Sequence, residues 1–141
     1  MKVLFVCTGN SARSQMAEGF AHHYGEGRLE VSSAGVDRKG LHPLTIEVMA
    51  ERGIDVSHQL SKALTDEMLR HADCMVTVCG HADRHCPMLP PHVEKVHWPI
   101  EDPAVRTGDP PPDLMAAFRK ARDEIELGVR EFLSTALKLE S

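Results

Sequence analysis

The stretch Cys7-Thr8-Gly9-Asn10-Ser11-Ala12-Arg13-Ser14 constrains this chain more than any other. Ahead of it, Met1 to Val6 is a short, nearly all-apolar run with two valines and a phenylalanine, the pattern of a buried strand. Behind it, Gln15 to His23 holds strong helix formers and no proline. The stretch is therefore a loop joining a buried strand to a helix N-terminus, which points to an α/β fold.

Such a junction carries unpaired backbone N–H groups and the positive end of a helix dipole, and together these suit a tetrahedral oxyanion. Cys7 opens the loop, and five residues separate it from Arg13. That spacing lets the loop curl, with the sulfur beneath a ring of amides from Thr8, Gly9, Asn10, Ser11 and Ala12. The Arg13 guanidinium then closes the ring with a planar, two-pronged donor. The same groups are expected to lower the thiol pKa and yield a nucleophile at neutral pH. Gly9 allows close backbone approach, and Ser14 can add a hydroxyl donor to the thiolate. The competing reading makes Cys7 a small buried hydrophobe and Arg13 a solvated helix residue. The placement between strand and helix, with Gly9 and Ser14 in support, favours the nucleophile.

At 141 residues the chain reads as a single domain over 1–141, large enough to bury about two-thirds of its unfolded surface. Its net charge of −5 argues against a nucleic-acid or anionic-membrane partner. The positive field that draws an anion must then be local, made by the loop amides and Arg13. No apolar run approaches the roughly 18 residues of a membrane span, and the N-terminal apolar stretch is too short for a secretory leader. The chain reads as cytoplasmic and is expected to act as a monomer. Four cysteines in a reducing compartment are then catalytic, metal-binding or incidental, not a structural framework.

In chain order, Gln15 to Tyr24 reads as an amphipathic helix ending near Gly25 and Gly27, and Leu29 to Ala34 as a second strand closed by Gly35. Strand, helix, strand predicts a right-handed crossover and a parallel pair. A helix runs from Pro43 to Arg52, and a capping box at Thr65 starts another that ends near Ala72. Cys74 to Val78 and Val93 to Trp98 read as the third and fourth strands. Gly80 to Pro91 is irregular; Pro99 to Pro112, with five of the nine prolines, is a loop. Asp113 caps a last helix whose Leu114, Phe118, Ala121, Ile125, Val129 and Phe132 follow a 3.6-residue period. The whole predicts a four-stranded parallel sheet with helices on both faces and a ligand site at the carboxyl ends of the strands.

Two further cysteines follow the third strand in Cys79-Gly80-His81-Ala82-Asp83-Arg84-His85-Cys86-Pro87. Cys79 stands at a strand's carboxyl end, as Cys7 does. Were the segment helical, Cys79 and Cys86 would be roughly 10 Å apart, so a disulfide between them requires the segment to unwind. An inert pair of thiols is one alternative, and a zinc site with His81 and His85 another, although the spacing matches no common zinc pattern. Cys74, inside a strand, reads as a buried hydrophobe. The other histidines, at 22, 23, 42, 58, 71, 92 and 97, read as surface or loop residues. Asp102, before Pro103, is a carboxylic acid that could reach over the nucleophile and protonate a leaving oxygen. Asp109 and a plain turn residue are equally consistent with the pattern there.

Cys-x5-Arg-Ser after the first strand, a late Asp-Pro loop and Cys79-x6-Cys86 between them resemble the thioredoxin-coupled arsenate reductases, which share the low-molecular-weight protein tyrosine phosphatase fold. The resemblance covers essentially the whole chain. It implies that Cys7 attacks arsenate held by the loop amides and Arg13, with Asp102 as the acid, Asn10 shaping the loop and Ser14 as the thiolate's partner. It further implies that Cys79 attacks the Cys7–arsenic adduct, that Cys86 then attacks Cys79, and that thioredoxin reduces the resulting Cys79–Cys86 disulfide. No cofactor is implied.

Two positions depart from that pattern. Some members bind potassium through residues matching Asn10, Glu18 and Ser33 plus an aspartate, and here the aspartate's position is Lys62. The ammonium can supply the positive charge, so no metal is expected. Gly80-His81 replaces a pair that more usually includes an acid. A second reading is a plain phosphatase using Cys7, Arg13 and Asp102, with Cys79 and Cys86 protecting Cys7 from oxidation. Against it, Asp102-Pro103 is followed by Ala104-Val105, not by aromatic residues that would stack a phenol ring. A third is an oxyanion- or metal-sensing protein that uses its thiols only as ligands.

Overall fold

The computed structural model describes residues 1–25, 27–37, 39–78, 89–100 and 114–138, with side chains to 136 in the last stretch. Strands β1 (Lys2–Cys7), β2 (Glu30–Gly35), β3 (Cys74–Thr77) and β4 (Glu94–His97) form one sheet in the order β2-β1-β3-β4. Every pairing is parallel: β1 pairs with β2 from Lys2 opposite Glu30 to Cys7 opposite Gly35, and with β3 from Val3 opposite Cys74 to Val6 opposite Thr77. β3 pairs with β4 from Cys74 opposite Glu94 to Thr77 opposite His97.

β1 is central and buried from Val3 to Cys7, which explains its unbroken apolar run: a strand covered on both faces has no side to leave polar. β4, at the edge, is mostly exposed. The helices are α1 (Arg13–Gly25), α2 (Pro43–Ala50), α3 (Asp66–His71) and α4 (Leu114–Lys138). The steps β1 to β2 and β2 to β3 run in opposite directions across the sheet. Right-handed crossovers therefore put α1 on one face and α3 on the other. The long helix α4 packs on α1 and α2, and its Phe118, Ile125 and Val129 are fully buried in one core that also holds Phe5, Phe20 and Met49.

Two expectations need correction. α1 is not simply amphipathic, since every residue from Arg13 to Ala21 is buried, Gln15 and Glu18 included. The sheet covers one side and α4 the other, and the first turn is the floor of the loop before it. At α3, Thr65 does cap, its Oγ1 accepting the Met68 N–H at 3.2 Å. The residue three positions on is Met68, however, so the reciprocal half of a capping box is missing and Asp66 and Glu67 act through the dipole alone. Most of the irregular stretch and of the proline-rich loop, together with Asp113, lies outside the described residues. Among the described residues no helix is long and apolar enough to cross a membrane.

Candidate active site

Parallel strands end on one edge, and Cys7, Gly35, Thr77 and His97 mark it. Cys7 is the last residue of β1, and the chain turns from it through 8–12 into α1. The loop's carbonyls are drawn outward by the next segment of chain. Cys7 O accepts from Val36 N at 3.1 Å, Thr8 O from Asp37 N at 2.8 Å, Gly9 O from Lys39 N at 2.8 Å and Ser11 O from His42 N at 3.0 Å. A planar peptide points its N–H opposite to its C=O, so this bracing leaves the loop's N–H groups for the other side. The Asn10 N–H donates to Cys7 Sγ at 3.2 Å.

Asn10 is the hub. It has a positive φ of 50°, which asparagine tolerates better than most residues, and it is fully buried. Its Nδ2 donates to Ser14 Oγ at 2.8 Å and to Ser33 Oγ at 2.9 Å. Its Oδ1 accepts from Lys62 N at 2.7 Å and Gln15 Nε2 at 3.1 Å. Ser14 Oγ, already accepting from Asn10, lies 2.9 Å from Cys7 Sγ and has its own proton to give to a thiolate. Arg13 is nearly buried, and its Nη1 donates to the Ile100 carbonyl at 3.0 Å.

Beneath the hub, Ser33 Oγ donates to Glu18 Oε1 at 2.8 Å. The Lys62 ammonium stands 3.7 Å from the same oxygen and donates to the Leu60 carbonyl at 3.2 Å. Burial alone would raise the Glu18 pKa, but the contacts with His22, Ser33 and Lys62 outweigh it and hold the carboxyl below its ordinary value. Lys62 thus brings a positive charge to the group of Asn10, Glu18 and Ser33.

Three site residues escaped the sequence. A close backbone approach occurs at Gly35: a Cβ there would lie 2.7 Å from Asn10 N and 2.7 Å from Thr8 O, whereas at Gly9 the nearest atom it would meet is in the Lys39 stem at 3.3 Å. Gln15 holds the hub from below, its Nε2 donating to Asn10 O at 3.0 Å, and is itself held by Gln59 Nε2 at 2.7 Å. His42, read as a loop residue, caps α2. The sequence marks Gly35 as the end of a strand and His42-Pro43 as the start of a helix, but nothing in it signals the contacts these residues make.

Cys79, Cys86, Asp102 and the His81/His85 cluster lie outside the described residues. Val78, one peptide before Cys79, donates its N–H to Val6 O at 2.9 Å, beside Cys7. Cys74 is at the opposite end of β3 and buried, which pushes its thiol up to about 11. Among the described residues no group of three or more His, Cys, Asp or Glu could hold a metal ion.

The family described as low molecular weight phosphotyrosine protein phosphatase matches residues 2–141. An arsenate reductase of Bacillus subtilis is 45% identical over 133 residues, 94% of this chain and 95% of the relative. A thioredoxin-dependent arsenate reductase of Corynebacterium glutamicum superposes with a TM-score of 0.77 at 32% identity, over 99% of this chain and 63% of that one. A low molecular weight protein tyrosine phosphatase from T. tengcongensis gives a TM-score of 0.79 at 27% identity, over 96% and 99%.

Proposed function

Because the chain belongs to the low molecular weight phosphotyrosine protein phosphatase family, and its relative in Bacillus subtilis is an arsenate reductase, we propose that it reduces arsenate to arsenite with thioredoxin as reductant. The observation that carries this reading is the Asn10 N–H on Cys7 Sγ, inside a loop whose carbonyls are braced outward.

In this mechanism the Cys7 thiolate attacks arsenic, with the loop N–H groups and Arg13 on the remaining oxygens. One oxygen leaves as water, taking a proton from Asp102. Cys79 attacks the Cys7 sulfur, and the S–As bonding pair stays on arsenic. As(V) thereby becomes As(III), arsenite leaves, and two thiols have become a Cys7–Cys79 disulfide. The position of Val78 beside Val6 supports this step, since each precedes its cysteine by one residue. Cys86 then attacks Cys79 and frees Cys7, and thioredoxin reduces the Cys79–Cys86 disulfide. The enzyme is expected to work as a monomer in the cytoplasm, without cofactor.

The second reading is a phosphatase that hydrolyses phosphoesters through a Cys7 phosphoenzyme, which the family's name supports. NADPH consumption with thioredoxin, thioredoxin reductase and arsenate separates the two. Arsenate-dependent turnover by the wild type, lost in Cys7→Ser, Cys79→Ser and Cys86→Ser, fits the reductase. A silent wild type that hydrolyses an aryl phosphate, with Cys79→Ser and Cys86→Ser equally active, fits the phosphatase.

A further inference from the structure

Ser11 O is doubly braced, accepting both His42 N at 3.0 Å and Thr45 Oγ1 at 2.9 Å. Both donors belong to the start of α2. With its carbonyl held there, the Ser11–Ala12 peptide aims the Ala12 N–H away from α2, as a cradle of N–H groups requires. The start of α2 is in turn secured by the His42 ring. Its Nδ1 accepts the Leu44 N–H at 3.0 Å, as an N-cap, and the ring packs on Phe118 with centroids 4.7 Å apart and planes tilted by 41°.

We propose that His42 is a positioning residue for the chemistry at Cys7, acting through the first turn of α2 on the Ser11 carbonyl by accepting the Leu44 N–H at Nδ1. The proposal rests on the loop being the oxyanion site, not on which oxyanion it takes. An imidazolium has donors at both nitrogens, so Nδ1–H would face the Leu44 N–H and place a cation at the positive end of the helix. Histidine is uncommon as a cap, and asparagine gives the same acceptor without a charge change.

The charged groups on the elements around the ring are engaged elsewhere. On α2, Glu47 is exposed; on α4, Arg119 and Arg122 are bound to Glu51. Arg13 donates to Ile100 O, and the Lys39 stem lies along Gly9. Among the described residues no charged side chain is hydrogen-bonded or ion-paired to the ring.

The test compares wild type, His42→Asn and His42→Ala, the second keeping an acceptor at the cap and the third removing it. The readouts are the rate of iodoacetamide alkylation of Cys7, followed on the tryptic peptide Val3–Arg13, and kcat/KM for arsenate. At about pH 8, His42→Asn should match wild type within about twofold while His42→Ala is about fivefold slower at Cys7. A folded His42→Ala with the wild-type Cys7 rate and only a lower Tm overturns the proposal, as does a His42→Asn no faster at Cys7 than His42→Ala. If His42→Ala does not fold, Thr45→Val takes its place: it removes the other donor to Ser11 O, and a wild-type Cys7 rate in it overturns the proposal. If arsenate is not turned over but the alkylation rates behave as described, the arsenate reading fails and the role of His42 stands.

Discussion

Gly35 lies directly beneath Asn10: a Cβ added to the glycine would sit 2.7 Å from the Asn10 nitrogen. The neighbour is backbone, which cannot rotate aside as a side chain would. Gly35→Ala should therefore push the catalytic loop off its braces, costing about 1–3 kcal/mol of stability. The loss of kcat/KM should be larger than that destabilisation explains, at least about tenfold, because the displaced atoms are those the proposed mechanism places around the oxyanion. Thermal melting and steady-state kinetics on the same preparation check both. Activity within twofold of wild type would mean the loop does not rest on Gly35.

Lys62 and Glu18 make the second prediction. With the ammonium 3.7 Å from the carboxylate, wild-type melting should not distinguish potassium from sodium at equal ionic strength. Lys62→Ala leaves Glu18 without that charge and should lose about 1 kcal/mol at neutral pH, with potassium restoring part of it. The Glu18 pKa is lowered in the folded state, so its contribution is present above the ordinary carboxylate value of 4.5 and fades as pH falls through the lower folded value. The gap between wild type and Lys62→Ala should close there. A potassium-dependent wild type would contradict this account.

Glu51 ties α2 to α4. Its carboxylate takes Arg122 Nη1 at 2.6 Å and Arg119 Nη2 at 2.8 Å, and hydrogen bonds first from Arg119 and then from Arg122 hold its pKa at about 2. Since that lies below the ordinary value of 4.5, the stabilisation is complete above about pH 4.5 and lost progressively towards pH 2. Glu51→Gln should lower Tm at neutral pH and flatten the fall in Tm across that acid range. Parallel curves for the two proteins would show that the pair contributes nothing.

Much of this was legible in the residues because the signals were local. An unbroken apolar run before Cys7 forecast a buried strand, and the 3.6-residue spacing of Phe118, Ile125 and Val129 forecast the buried face of α4. The alternation of elements forecast the parallel sheet. What stayed hidden depends on approach between distant segments. Nothing near Gly35 in the sequence says that the Thr8–Asn10 backbone lies on it. Nothing near His42 says that its neighbour across the fold is Ser11. The burial of α1 all round was missed because its polar Gln15 and Glu18 look like a solvent face, when they are bonded to Asn10 and Ser33.

The most direct test of the central claim is a single turnover: fully reduced protein, arsenate and no thioredoxin, with arsenite quantified and disulfides mapped by mass spectrometry. The account predicts about one arsenite per protein and a Cys79–Cys86 disulfide in the wild type, with Cys86→Ser trapped as Cys7–Cys79. Cys74, buried and held protonated, should remain free in both. Arsenite formed with all thiols still reduced, or no arsenite at all, would contradict it.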